Sequence, residues 1–193
     1  MSDSTAPPES PPDPDGFLAA VDRFDRAADV WFERVRDDPI LDRVMTFATH
    51  AGEFSAVWHV TGATRGLLRG RPDQIVALAI GLGLESLIVN QGLKRLVGRR
   101  RPTDEGDERF EIRKPLTSSF PSGHASSAAF AATVLVGWDG KRWAPLYGSM
   151  AALVALSRPY VRIHHASDIV GGVVVGASMG WIARRLFARL GLD

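Results

Sequence analysis

Two histidines and an aspartate lie where a helix would gather them: His164, His165 and Asp168. His164 and Asp168 are four residues apart, so on a helix they share a face. A carboxylate that accepts a hydrogen bond from one imidazole nitrogen fixes the tautomer and leaves the other nitrogen as nucleophile or base. His165 is three residues from Asp168 and also within reach, so spacing does not choose between the two. Joint metal ligation is disfavoured, because adjacent helical residues point about 100° apart. A surface His–Asp pair with no role is the plainer alternative. A third histidine closes the run Pro121-Ser122-Gly123-His124. Pro and Ser suit a helix start, and the free N–H groups there favour an anion. Gly123 permits close backbone approach, Ser122 adds a hydroxyl donor, and His124 can act as general acid. Lys94, Arg101 and Arg158 would add positive charge, the arginines gripping phosphate oxygens in pairs and the lysine acting as a point charge. Cations, histidines, a carboxylate and a small-residue turn are what metal-free hydrolysis of a phosphate ester requires.

These groups need a scaffold. The chain has 193 residues, enough for one domain with a sizeable core. Residues 1–15 are rich in Pro, Ser and acid and read as a disordered tail, and residues 16–193 read as one helical domain. The N-terminus lacks a basic stretch followed by an apolar one, so no secretory leader is expected. There is no cysteine, which excludes disulfides and thiolate metal sites. Net charge is +1 and the charges are clustered, with apolar runs between them. Those runs, with their flanks, are 74–97, 123–138, 143–157 and 166–187. Most approach the ~20 residues of a spanning helix. Met45–Leu68 is a weaker candidate. Trp138, Trp143 and Trp181 lie near segment ends, as in an aromatic belt. Gly172, Gly176 and Gly180 repeat every four residues, a ridge that lets helices approach closely. A soluble bundle with buried helices is the alternative.

Residues 16–38 carry apolar residues at helical spacing but many charges. They are expected to lie at the interface or pack on the bundle. A first long helix is expected from about 40 to 68 and a second from Pro72 to about 97. A charged loop over 98–121 and three further helices complete an all-α, membrane-embedded bundle: about five long helices plus the N-terminal amphipathic one. In an up-down bundle the three chemical segments meet at one end, because segment one closes the second helix, segment two opens the third, and segment three joins the fourth to the fifth. Arg95, Arg99 and Arg100 are expected to be ordinary juxtamembrane cations. RRR at 99–101 is too short to argue a nucleic-acid patch, and no nucleic-acid partner is expected.

Taken jointly, Lys94–Arg101–Pro102, Pro121–Ser122–Gly123–His124 and Ser157–Arg158–His164–Asp168 fit the pattern K-x6-R-P, PSGH, S-R-x5-H-x3-D. On these residues the chain resembles the type 2 phosphatidic-acid phosphatase family, related to vanadium haloperoxidases and bacterial acid phosphatases. The resemblance covers about residues 74–190. It implies that His164 is the nucleophile, that His165 falls on a variable position, and that a phosphohistidine forms. It further implies that Asp168 orients His164 and that His124 protonates the leaving oxygen and then activates water. Lys94, Arg101, Arg158, Ser122 and the Gly123 amide would hold the equatorial oxygens. Neither metal nor cofactor is implied. Many membrane members have six spanning helices, one more than counted here. Arg162 is an extra cation that either meets a second phosphate or is simply exposed.

The end away from the site carries Arg65, Arg69, Arg71, Lys141, Arg142, Arg184, Arg185 and Arg189. The positive-inside rule makes that end cytoplasmic and the site extracytoplasmic in a multi-pass protein of the cell membrane. The expected substrate is a lipid phosphate: an isoprenyl (undecaprenyl or decaprenyl) diphosphate or phospho-sugar lipid, phosphatidic acid or phosphatidylglycerol phosphate. The alternatives are a lipid phosphotransferase and an inactive structural or lipid-binding membrane protein. Glu53 and Glu85 stand in apolar stretches and are expected to pair inside the bundle.

Overall fold

The computed structural model describes residues 16–102, 110 and 117–193, and no strand occurs among them. The tail expected over 1–15 and most of the charged loop lie outside the described residues. Helix α1 spans Phe17–Glu33, α2 Pro39–Ala51 and α3 Ala56–Leu68. Helix α4 (Pro72–Leu87) continues through a π-type turn, Ile88–Leu93, into the short α5, Lys94–Leu96. Helices α6 (Gly123–Asp139), α7 (Ala144–Tyr160) and α8 (Ala166–Arg189) follow.

Among the described residues two helical runs are long and apolar enough to cross a bilayer: Pro72–Leu96, 25 residues, and Ala166–Arg189, 24 residues. Helices α6 and α7 are 17 residues each, or roughly 26 Å at 1.5 Å per residue. The apolar run of α6 has another cause besides lipid. Ala125, Ala128, Phe130, Ala131, Val134 and Leu135 are all buried, and α6 touches α3, α4, α7 and α8. A helix enclosed by neighbours is apolar all round. The glycine ridge of α8 packs against it. A methyl on Gly172, Gly176 or Gly180 would collide with the backbone of Ser122, Ser126 or Phe130 respectively, so these positions let the two helices lie in contact.

The long helix expected over 40–68 is broken. After Ala51 the chain turns through Gly52 to Ser55, with Phe54 and Ser55 at φ 51° and 58°. The break keeps α2 across the site end of the bundle. Asp38 starts α2, accepting from the Ile40 and Leu41 amides at 2.9 Å, with Pro39 at the first position. At that end Asp42 accepts from the Tyr160 hydroxyl at 2.5 Å.

Helix α1 lies on the same end with Asp25 and Phe32 turned inward. Beyond its C-terminus Arg36 is buried and donates to the carbonyls of Tyr160 and Pro159, both at 2.8 Å. Phe17, Leu18, Phe24 and Trp31 stay exposed. Together α1 and α2 form a cap over the end where the chemical segments meet.

At the far end Asp139 accepts from Arg65 at 2.9 Å and from the Tyr147 hydroxyl at 2.5 Å. The Arg65 guanidinium also lies over Trp138, 5.1 Å from the ring centre.

Candidate active site

The loop after α7 turns sharply, with Arg162 at φ 58°, and delivers His164 just ahead of the α8 N-cap, His165, outside the helix on which spacing had placed it with Asp168. Both His164 and Asp168 are buried, at 3 % and 0 % exposure. Nδ1 of His164 faces Oδ2 of Asp168 at 3.4 Å. The same oxygen accepts from the backbone N–H of His165 at 2.8 Å. It is therefore the ring of His164 that meets the carboxylate, while His165 contributes its backbone. Nε2 of His164 lies 3.2 Å from Nη1 of Arg101. A guanidinium only donates, so Nε2 carries the lone pair and Nδ1 the proton. Burial pushes the pKa of His164 down to about 3; the hydrogen bond to Asp168 opposes this, and the charges of Arg101 and Arg158 add to it. The ring is thus neutral at ordinary pH.

Segment one runs out of α5 as extended chain. Ser119 N–H donates to the Arg99 carbonyl at 3.0 Å and its hydroxyl to the Arg100 carbonyl at 3.0 Å. Side chains of extended chain alternate, so Arg99 and Arg101 turn inward while Arg100 is exposed. Arg101 is anchored by the carbonyls of Thr117 (3.0 Å), Ser118 (3.1 Å) and Ile163 (2.8 Å). Those bonds aim it at His164. Lys94 is buried after the π turn; such turns shift the phase of a helix and recur at functional sites. A methyl on Gly123 would sit 3.3 Å from Asn90 Oδ1 and 3.8 Å from Lys94 Nζ, so the glycine keeps that approach open.

Segment two is joined to segment three by its backbone. Ser122 N–H donates to the Asp168 carbonyl at 3.0 Å. The Ser122 hydroxyl accepts from the Ala125 amide at 3.4 Å as helix cap and keeps its own proton to donate. His124 donates from Nε2 to the Thr49 carbonyl at 3.2 Å. Arg158 is 2 % exposed, and its Nη1 donates to the Thr49 hydroxyl at 2.5 Å. Its Nε is buried with no hydrogen-bond partner among the described residues. A buried donor of that kind is costly unless an anion completes it. All eight residues picked out from the sequence (Lys94, Arg101, Ser122, Gly123, His124, Arg158, His164 and Asp168) fall at this one end.

Four further residues support them. Thr49 links His124 and Arg158 from α2, and nothing in its sequence surroundings marks it. Gly52 lies against His124: a methyl there would be 2.6 Å from the ring, and a glycine inside an apolar helical pattern was the available sign. Arg99 reaches Asp168, and Asp25, one step removed, holds Arg99; Arg99 is not the ordinary juxtamembrane cation expected of it. Arg162 is not simply exposed; it pairs with Asp29 of α1 at 3.2 Å and lines the cavity beside His164. Glu85 does pair inside the bundle, with the hydroxyl of Ser126. Glu53 pairs near the surface instead, with His50 at 3.6 Å. A cavity of about 400 Å³ opens beside His164, between α1 and the 159–166 link. Among the described residues no group of three His, Cys, Asp or Glu side chains is placed to hold a metal ion.

The sequence pattern of the PAP2 superfamily matches residues 74–191. The decaprenylphosphoryl-5-phosphoribose phosphatase of Mycobacterium tuberculosis is 33% identical over 150 residues, 74% of this chain and 81% of that one. The lipid A 4'-phosphatase of Bacteroides thetaiotaomicron is 30% identical over 130 residues, 62% of this chain and 58% of that one. The crystal structure of a transmembrane PAP2 type phosphatidylglycerolphosphate phosphatase from Bacillus subtilis superposes with a TM-score of 0.66 at 25% identity, covering 89% of this chain and 86% of that one. With three motif segments brought to one end of an all-helical membrane bundle, and with these likenesses, the chain belongs to the PAP2 superfamily and is a phosphatase.

Proposed function

We propose that the protein removes phosphate from a membrane lipid through a phosphohistidine on His164. The supporting observation is the setting of Nε2: a neutral nitrogen backed by Asp168 and facing Arg101 at 3.2 Å. His164 Nε2 attacks phosphorus and the bond to the lipid oxygen breaks. His124, with Nε2–H held by the Thr49 carbonyl, takes a proton at Nδ1 from the bound phosphate monoanion and delivers it to that oxygen. Water then attacks the phosphohistidine, His124 takes its proton, and the P–N bond breaks to release inorganic phosphate. Arg101, Arg158 with its open Nε, Lys94, the Ser122 hydroxyl and the Gly123 amide stabilise the charge on the equatorial oxygens.

The substrates proposed are isoprenyl diphosphates and phospho-sugar lipids, phosphatidylglycerol phosphate and phosphatidic acid. The relatives' names support phospho-sugar lipids and phosphatidylglycerol phosphate most directly. Purified protein should release phosphate from members of this panel in EDTA and be blocked by vanadate; strict dependence on added metal would sink the mechanism. The site is proposed to face away from the cytoplasm, since the far end carries Arg65, Lys141, Arg142, Arg184 and Arg185. The chain has no cysteine, so an impermeant thiol reagent on intact cells should label Arg34→Cys and spare Lys141→Cys. The reverse pattern would invert the orientation.

A further inference from the structure

The two oxygens of Asp168 are held by different parts of the molecule. Oδ2 serves His164 and the His165 amide. Oδ1 accepts from Nη1 of Arg99 at 2.7 Å. The second arm of the same guanidinium, Nη2, donates to Oδ2 of Asp25 on α1 at 2.5 Å. Asp25 is buried, although it belongs to a charged amphipathic helix. It also accepts from the Ser167 amide at 2.8 Å and the Ser167 hydroxyl at 2.7 Å. That amide is one of the N–H groups in the first turn of α8 that the helix itself leaves without a partner. Arg99 Nη1 meets the same hydroxyl at 2.6 Å.

We propose that Asp25 and Arg99 are a positioning pair for the reaction: α1 holds Arg99, Arg99 holds Oδ1 of Asp168, and Asp168 is thereby fixed with Oδ2 toward His164. This rests on the reading of His164 and Asp168 as the reacting pair. The physical reason is rotational and electrostatic. A carboxylate bonded at one oxygen alone can swing, and here the outer oxygen is tied down. Two buried carboxylates close together would repel, and the fork of one guanidinium between them removes the conflict. The three side chains together carry one negative charge, which is the charge needed to balance His164 as it becomes cationic in attack. Burial works against the charge on Arg99, but the hydrogen bond to Asp25 and the charge of Asp168 prevail and hold it above its ordinary pKa.

The test is steady-state kinetics on purified protein with a short-chain lipid phosphate, reading kcat and KM separately. Arg99→Ala should lower kcat by about 10–100-fold with KM within about threefold, as for other groups that orient a reacting residue. Arg99→Lys keeps the charge but not the fork and should lose about three- to tenfold. Asp25→Asn still accepts from Ser167 but loses its charge on Arg99, and should lose a similar factor. Because Asp25 acts through Arg99, adding Asp25→Asn to Arg99→Ala should change kcat by less than about twofold. The exposed Arg95, bonded to Gln91, is the control: Arg95→Ala should leave kcat unchanged. Arg99→Lys and Asp25→Asn nearly keep size and polarity, so they report even if the alanine variant does not fold. Wild-type kcat in both, losses confined to KM, or losses that multiply in the double variant would each overturn the proposal. If instead wild-type turnover survives His164→Ala, the reading of the reacting pair falls and takes this proposal with it. In the earlier outcomes that reading stands.

Discussion

The helices α4 to α8 and the cap made by α1 and α2 meet the same few atoms in different ways. The α4–α8 core supplies every group that would touch a phosphate: Lys94, Arg101, Ser122, Gly123, His124, Arg158 and His164. The cap supplies none of these. It supplies their supports. Thr49 holds His124 by its carbonyl and Arg158 by its hydroxyl, Gly52 makes room for the His124 ring, and Asp25 holds Arg99. The match to the PAP2 superfamily begins at residue 74, so the cap lies outside it. A reacting group is restricted to a few side-chain types at a fixed place, whereas a carbonyl, a missing side chain or a carboxylate from any direction can support it.

That contrast is broken most directly at His164. His164→Ala should cost at least about 10³-fold in kcat, since in the proposed mechanism His164 alone forms the covalent intermediate. His165→Ala should stay within a few-fold, because only its backbone meets Asp168. A large loss at His165 and a small one at His164 would show that the core does not work as described.

The cap is tested next. In Gly52→Ala the new methyl meets the His124 ring at 2.6 Å and Val154 at 2.8 Å. Something must move, and the ring is the group that acts. A misplacement of a reacting group by an ångström can cost about 10²-fold, and partial relaxation should leave a loss nearer tenfold in kcat. The matching control is Gly148→Ala in α7, where an added methyl meets nothing within 4 Å; it should be silent. Equal effects at the two glycines would mean that the cap does not position His124. A smaller step follows at Thr49→Val, which keeps the carbonyl for His124 and removes the hydroxyl from Arg158. Losing one hydrogen bond to a charged group is worth about 1.5–3 kcal/mol. Substrate phosphate can offset part of this, so kcat/KM should fall roughly three- to tenfold, mainly in KM. Thr49→Ser should restore it.

The same contrast explains what could be read in advance. The core was legible because its residues are chemically unusual in an apolar setting and their order puts them at one end of a bundle. The glycine ridge of α8 was legible because small residues every four positions have few other uses in an apolar helix. The cap was not legible for three separate reasons. The turn after α2 is made by Phe54 and Ser55 in a left-handed conformation, which residues with a side chain seldom adopt, so the composition gave no sign that 40–68 is broken. Thr49 acts partly through its carbonyl, which every residue has. Arg99, Arg100 and Arg101 are identical on paper, and only the extended path of that segment turns the first and third inward. The apolar run of α6 has two sufficient causes, since burial inside the bundle makes a helix as apolar as lipid does.

The least visible consequence concerns protons. His164 belongs to the core and is 3 % exposed, and burial is the main cause of its pKa near 3. In the unfolded chain a histidine titrates near 6.5. Between those values the unfolded state binds the extra proton and the folded state does not, so stability rises with pH across the window and falls on acidification. By pH 5 the His164 contribution should be on the order of 2 kcal/mol of lost stability. His164→Gln lacks that proton site. Its melting temperature relative to wild type should therefore rise as pH falls from 7.5 to 5. The nitrogen resonances of His164 in labelled protein should at the same time stay those of a neutral ring protonated at Nδ1. A ring that titrates with a midpoint near 6.5, with no change in the relative melting temperature, would mean that water reaches His164. The core would then be no better sealed than the cap that covers it.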